Sequence, residues 1–310
     1  MGLGLDVGGT ATRWALLDRA ANLRAEGSVA GLTALMLGSE TGRAQLAATL
    51  GGLAQDLRCA GHAVPARIVA GFSGYSDDVA LRTRLETLVA QVLTVAADQV
   101  RVVSDITLAY LDCFAPGEGY LVYAGTGSIA VAIDPHGRTH RAGGRGSQLD
   151  DGGSGYWIAR EALQHIWRAE DEAPGSWSRS ELARCVLGQI GGSTWTQTRE
   201  FVYQGSRGQV GELALAVAAA ARAGDADALD ILRRAGAELA RLAVALTRRL
   251  GPRPVALAGR AVHLHPAIAV AMREALGDVA VPRVVELHSH VTAARLAATD
   301  DPILGTLADA

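Results

Sequence analysis

Asp6 closes a short apolar run, Val7-Gly8-Gly9-Thr10 follows at once, and a second apolar run extends from Arg13 to Leu17. This pattern predicts a hairpin with an acid just before its tip and two adjacent glycines within it. Glycines let backbone N–H groups approach a ligand closely, and successive N–H groups make an anion-binding concavity. Thr10 adds a hydroxyl. The chemistry suggested is a nucleotide phosphate over the tip, with Asp6 near its metal ion. Two glycines at a tight turn are usually just the ordinary residues of a hairpin, so the motif alone is a weak signal. A second strand–turn–strand pattern echoes the first: Tyr120–Tyr123, then Ala124-Gly125-Thr126-Gly127-Ser128, then Ile129–Ile133. The echo suggests two related halves facing each other. Two further loops, Ser73-Gly74 and Ser104-Asp105, end short apolar strands, where ligands bind in open α/β sheets. Asp105 can accept a proton from a substrate hydroxyl, and phosphoryl transfer otherwise needs mainly positioning and charge neutralisation, helped by Mg2+. The alternative for Asp105 is an N-cap of the helix that follows.

Strands and helices must carry these turns. A third strand is expected over Leu23–Ala30, and a helix over Thr41–Ala60 from the spacing of Leu46, Leu50, Leu53 and Leu57. Next come a strand over Arg67–Phe72, a helix opened by Asp77-Asp78 and reaching Leu93, a strand over Val100–Val103, and a helix to Cys113 or Phe114. Pro116–Gly119 breaks the alternation and is the expected boundary. Beyond the second hairpin, Thr139–Gly155 reads as a polar glycine-rich loop. Helices are expected over Tyr156–Ala169, Ser178–Gly188, Thr196–Tyr203, Val210–Ala223 and Ala226–Leu250. A strand over Val255–Ala258 ends in Gly259-Arg260, and Pro266–Leu276, Pro282–Glu286 and His290–Thr299 read as helix, strand and helix. The class is α/β, with mixed, mostly parallel sheet covered on both faces.

The 310 residues are 49% hydrophobic and 20% charged, as expected for a globular protein with a sizeable core. A net charge of −3 leaves no basic footprint for nucleic acid. Every one of the 29 basic residues is arginine, which excludes Schiff-base chemistry and a P-loop lysine. Cys59, Cys113 and Cys185 are widely separated and read as reduced thiols in or near the core. Asp6 inside the first apolar run argues against a signal peptide. The longest apolar run, Leu213–Ala221, is too short to span a membrane, so a cytoplasmic protein is expected. His263/His265 and His288/His290 look metal-like, but both pairs precede expected helices and read as capping or exposed groups. Trp157 and Trp167 read as packing, Arg248-Arg249 as cations suited to a helix end, and Glu170-Asp171-Glu172 as a solvated helix end.

In order along the chain, these segments resemble the BadF/BadG/BcrA/BcrD ATPase and N-acetylglucosamine kinase family of the sugar kinase/Hsp70/actin superfamily. Asp6–Thr10 is similar to its first phosphate motif and Gly125–Ser128 to its second. Gly71–Gly74 and Ser104-Asp105 resemble its sugar-contacting and catalytic segments, Gly143–Ile158 its loop-to-helix signature, and Val255–Gly259 its adenosine segment. The resemblance implies two ribonuclease H-like (actin-like ATPase) domains with a central cleft. Residues 1–115 would form the first and 116–289 the second, with the helix from about 290 to 310 packing back onto the first. It implies Asp105 as catalytic base. It assigns ATP and phosphate contacts to Asp6, Gly8, Gly9, Thr10, Thr12, Gly125, Thr126, Gly127, Ser128 and Gly259. Sugar contacts fall to Ser73, Gly74, Ser104, Asp105, Thr126, Arg145, Asp150 and Asp151, and Mg2+ lies near Asp6 through water. The implied activity is ATP-dependent phosphorylation of an amino sugar, N-acetylglucosamine or glucosamine, at O6 by a homodimer that uses neither nucleic acid nor membrane. The chain departs from the family pattern at Ser104, Arg145, Asp150 and Gly152, where substrate choice is read, and an acidic sugar recognised through Arg145 is a further option. An activator ATPase that holds an iron–sulfur cluster is disfavoured by the absence of C-x-x-C. A catalytically inactive regulator is disfavoured because the phosphate hairpin begins at the first residues.

Overall fold

The computed structural model describes residues 1–75 and 78–307. The chain divides into two compact units. One comprises residues 1–117, 133–139 and the chain from Leu287 onward; the other comprises 118–132 and 140–286.

In the first unit, β1 (Gly2–Val7), β2 (Ala11–Leu17) and β3 (Leu23–Ala30) form an antiparallel meander. Helix α1 (Glu40–Cys59) leads to β4 (Arg67–Phe72), which pairs in parallel with the free edge of β1. Helix α2 (Val79–Leu93) leads to β5 (Val100–Ser104), which is parallel to β4, and α3 (Asp105–Cys113) follows directly. Parallel neighbours need crossovers, and the helices supply them. Five of the six β4 residues are buried, the pattern of a strand covered on both faces. The α1 leucines at 46, 50, 53 and 57 bury one stripe against this sheet.

The second unit repeats the plan. It holds β6 (Tyr120–Ala124), β7 (Ser128–Ile133) and β8 (Thr139–Gly143), then helices α4 (Gly155–Glu172), α5 (Glu181–Ile190), α6 (Trp195–Gln204), α7 (Arg207–Arg222) and α8 (Ala226–Leu250). The strand β9 (Val255–Ala258), helix α9 (Pro266–Leu276) and strand β10 (Pro282–Val284) complete it. The two sheets run β3-β2-β1-β4-β5 and β8-β7-β6-β9-β10. Counted from its own first strand, each has the order third, second, first, fourth, fifth. The first two strands are antiparallel, and the fourth and fifth run parallel to the first. The mixed α/β class is as expected, and the repeat lies in topology rather than in sequence.

The last long helix, α10 (Ser289–Thr299), belongs to the first unit and lies on β1. A Cβ at Gly2 would stand 2.2 Å from the Ala298 nitrogen, and one at Gly4 2.1 Å from the Ala294 nitrogen. Glycine at these alternate positions lets helix backbone meet strand backbone.

Several expectations are corrected. Residues 139–143 are a strand, not part of a loop. Helix α7 begins at Arg207, three residues before the expected start, because its first turn is polar. Ser206 and Gln209 form a capping box there, which apolar periodicity does not reveal. Asp78 caps α2 by accepting from the Ala80 and Leu81 amides, whereas Asp77 lies outside the described residues. Cys59 is exposed rather than in or near the core. Glu170 is no free solvated end: it accepts from the amides of Gly175 and Trp177 and from the Ser176 hydroxyl, which holds its carboxyl below the ordinary range.

Candidate functional site

The β1–β2 turn of the first unit is built without a left-handed glycine. Neither Gly8 nor Gly9 has positive φ, and a Cβ at Gly9 would make only an ordinary contact with the Thr33 methyl. Gly9 is therefore not demanded by the turn's geometry, whereas a Cβ at Gly8 would press on the Ala11 carbonyl at 3.1 Å. The Gly8 amide is used internally, donating to the Ala11 carbonyl. The amides of Gly9 and Thr10 donate to nothing among the described residues, and both residues are exposed. Thr12 stands differently: it is fully buried in β2, and its hydroxyl has no partner among the described residues.

Asp6 sits one strand position before this turn, with Arg13 and Gly71 as its cross-strand neighbours. Gly71 leaves room for the start of α3, since a Cβ there would lie 3.2 Å from the Asp105 Cα and 2.5 Å from a Leu108 methyl. The consequence is electrostatic. Burial raises the Asp6 carboxyl from 3.8 to about 6, the negative charges of Asp105 and Asp112 add to the rise, and Arg13 opposes it. Ser104, not Asp105, occupies the cap position of α3, and the Asp105 carboxylate accepts from the Ile106 amide at 2.8 Å. Ser104 makes no side-chain cap, so the Asp105 carboxylate is the group that satisfies a first-turn amide of α3, as its capping alternative expects.

The 31–38 segment ties this region together. Leu32 donates to the Gly8 carbonyl, Ala34 to the Ser73 carbonyl, and Ser73 to the Val7 carbonyl. Gly74 has φ +72°, and Leu35, which is 74% exposed, would touch a Cβ placed there. Nothing in the sequence distinguished this segment. Asp112 was also missed. It accepts from the His288 amide and the Thr292 hydroxyl, anchoring the start of α10 to α3 beneath Asp6. The neighbouring His290 is buried, lies 3.6 Å from Glu26, and is held below its ordinary value chiefly by burial.

In the second unit the β6–β7 turn has the same character. Gly125 donates to the Gly127 carbonyl, and the amides of Thr126 and Gly127 have no partner among the described residues. The turn is clamped to the segment that follows β8. Gly155 donates to the Gly125 carbonyl, Tyr156 to the Thr126 carbonyl, and the buried Ser128 hydroxyl to the Gly152 carbonyl at 2.7 Å. Ser128 is thus occupied as a tie between the two segments. Asp151, only 2% exposed and at φ +59°, pairs with Arg207 at 2.9 Å. A Cβ on Gly127 would overlap both partners of that pair. Asp150 pairs with Arg241, which also holds Glu238. Arg145 is exposed between two left-handed glycines and has no partner among the described residues. At the end of β9, Gly259 has φ +101°, and its missing Cβ would meet the Ala124 carbonyl at 2.3 Å. Arg260 beside it is exposed. Arg207 and Arg241 escaped the sequence reading because each pairs across more than fifty residues.

Residues 3–294 match the BadF/BadG/BcrA/BcrD ATPase family. The chain belongs to that family. An N-acetyl-D-glucosamine kinase of Dictyostelium discoideum is 39% identical over 54 residues, 17% of each chain. An N-acetylmuramic acid/N-acetylglucosamine kinase of Clostridium acetobutylicum is 35% identical over 74 residues, 24% of each chain. The matched stretches therefore span under a quarter of these two relatives. A solved structure of a proposed N-acetylglucosamine kinase from Chromobacterium violaceum is 26% identical, with a TM-score of 0.70, and covers 95% of this chain and 98% of that one. A Streptomyces griseus glucokinase, solved with glucose and AMPPNP, shares the fold at a TM-score of 0.59 and 20% identity, covering 96% and 98% of the two chains. The two-unit ATPase-family fold is shown by these likenesses. No helix among the described residues is long and apolar enough to cross a membrane. His265 caps α9 through its ring nitrogen, as expected of a histidine before a helix.

Proposed function

We propose that this protein is an ATP-dependent kinase of an amino sugar, N-acetylglucosamine or glucosamine, transferring the γ-phosphoryl group to a hydroxyl, most simply O6. The observation that carries the reading is the pair of hairpin turns. Each presents two successive unpaired amides, Gly9-Thr10 and Thr126-Gly127, and neither turn holds a glycine at positive φ. Such amides are anion donors, and a nucleoside triphosphate is the anion that the family and its kinase relatives suggest.

Asp105 is the proposed general base. It takes the proton of the sugar hydroxyl as that oxygen forms its bond to phosphorus and ADP departs. Asp6 fits a divalent cation. Its carboxyl is costly to ionise beside Asp105 and Asp112, and a cation relieves that cost. A carboxylate oxygen suits Mg2+, which would neutralise charge on the phosphates. Ser73, Gly74, Thr126 and Asp151 are proposed to position the sugar, with Arg145 and Asp150 bordering it. Of the two other hydroxyls expected at the phosphates, that of Ser128 is engaged with Gly152, and that of Thr12 is buried without a partner among the described residues.

Asp105→Asn is expected to keep nucleotide affinity and lose about 10²–10⁴-fold in turnover. A coupled assay over N-acetylglucosamine, glucosamine, N-acetylmuramate and glucose reads both the substrate and the defect. Near-normal turnover by the variant would remove Asp105 from this role, and no turnover of any sugar by the unaltered protein would remove the kinase reading.

A further inference from the structure

The acids on the segment after β8 are both already paired. Asp150 is held by Arg241 and Asp151 by Arg207, while Arg145 on the same segment is exposed without a partner. Arg207 is in an unfavourable place for a cation. It occupies the first turn of α7, where the helix dipole repels positive charge. Its helix end gains nothing from it, because Ser206 and Gln209 satisfy the cap. What holds it is Asp151, whose carboxylate is almost wholly out of solvent. The pair sits on the β6–β7 turn itself, in the space that a side chain on Gly127 would take.

We propose that Arg207 is the residue that sets which amino sugar the site accepts: by cancelling the charge of Asp151, it favours the neutral N-acylated sugar over the free, cationic amine. The inference rests on the kinase reading, and specifically on Asp151 bordering the sugar. A paired carboxylate keeps lone pairs for a hydroxyl or amide N–H but offers no net attraction to an ammonium group. The guanidinium of Arg207 repels one. Arg207 acts through Asp151 and is a positioning residue rather than a catalytic one.

The test compares kcat/KM for N-acetylglucosamine and glucosamine near neutral pH in the full-length protein. The unaltered protein should prefer the N-acetyl sugar by about tenfold or more, and Arg207→Gln should lower that ratio by about tenfold through opposite changes in the two KM values. Arg207→Lys keeps the charge and should keep the ratio. Asp151→Asn leaves Arg207 uncompensated and should shift the ratio the other way, which serves if Arg207→Gln does not fold. An Arg207→Gln protein that loses activity equally on both sugars overturns the proposal, since a simple structural pin behaves in that way. So does Asp151→Asn with an unchanged ratio. Turnover of neither sugar by the unaltered protein overturns the kinase reading and this inference together, whereas turnover with unresponsive ratios overturns the inference alone.

Discussion

Asp6 is held in a form that suits a ligand better than it suits the empty fold. Its carboxyl titrates near 6 rather than 3.8, so the folded state favours the protonated acid. Stability from this group is fully present below about pH 3.8 and is lost as pH rises through 6. The gap corresponds to roughly 3 kcal/mol at neutral pH. Asp6→Asn should therefore melt higher than the unaltered protein at neutral pH, with the gain fading below pH 4; a lower melting temperature at neutral pH would refute this account. The same logic has cation affinity fall as pH drops through 6, because the proton competes for the carboxylate. Gly9 is a complementary case. Gly9→Ala meets only open space and an ordinary methyl contact, so stability should change by no more than about 0.5 kcal/mol. Nucleotide affinity, read by calorimetry with a non-hydrolysable ATP analogue, should fall, since the added methyl stands beside the free amides. An unchanged affinity would remove the turn from the nucleotide site.

At the scale of elements, α10 on β1 makes a sharp prediction. A side chain at Gly4 would overlap helix backbone, which cannot rotate away as a side chain can. Gly4→Ala should cost about 3 kcal/mol or more, measured by chemical denaturation; a cost below 1 kcal/mol would mean the helix can lift without penalty. This packing also marks what the sequence could show. Strand and helix identities were legible wherever apolar spacing was regular, as in α1 and α8, and the glycine-bearing turns were legible as candidate anion sites. The first turn of α7 was hidden because its residues are polar and its cap is a side-chain exchange. Strand β8 was hidden because its five residues, Thr-His-Arg-Ala-Gly, are only half-buried and carry no alternation. In the candidate site, the carboxylates were readable by type and position. Their partners were not, since Arg207, Arg241 and Asp112 meet them only through tertiary folding.

For the molecule as a whole, the chain passes between the units four times, so neither unit is a single stretch. A fragment of residues 1–117 lacks α10 and leaves the Gly2–Gly4 face of β1 bare, together with the Ala15 and Leu17 positions that Ala294 covers. Such a fragment should be aggregation-prone, and joining residues 287–307 to it through a flexible linker should restore a cooperative melting transition. A cooperative transition in the unextended fragment would show that α10 is dispensable. The absence of lysine adds a second expectation: amine-directed acylating probes should modify only the N-terminus, so a nucleotide probe that reports by acylating lysine should leave the chain unlabelled.

The position of α10 also has a consequence in time. Strand β1 leaves the ribosome long before α10, the helix that covers it. At roughly 5–20 residues per second, β1 waits tens of seconds for its cover. During that interval the strand that carries Asp6 shows apolar surface to the cell. Synthesis order, rather than final stability, is then where this chain is most exposed, and chaperone dependence should fall when α10 is moved by circular permutation to precede β1.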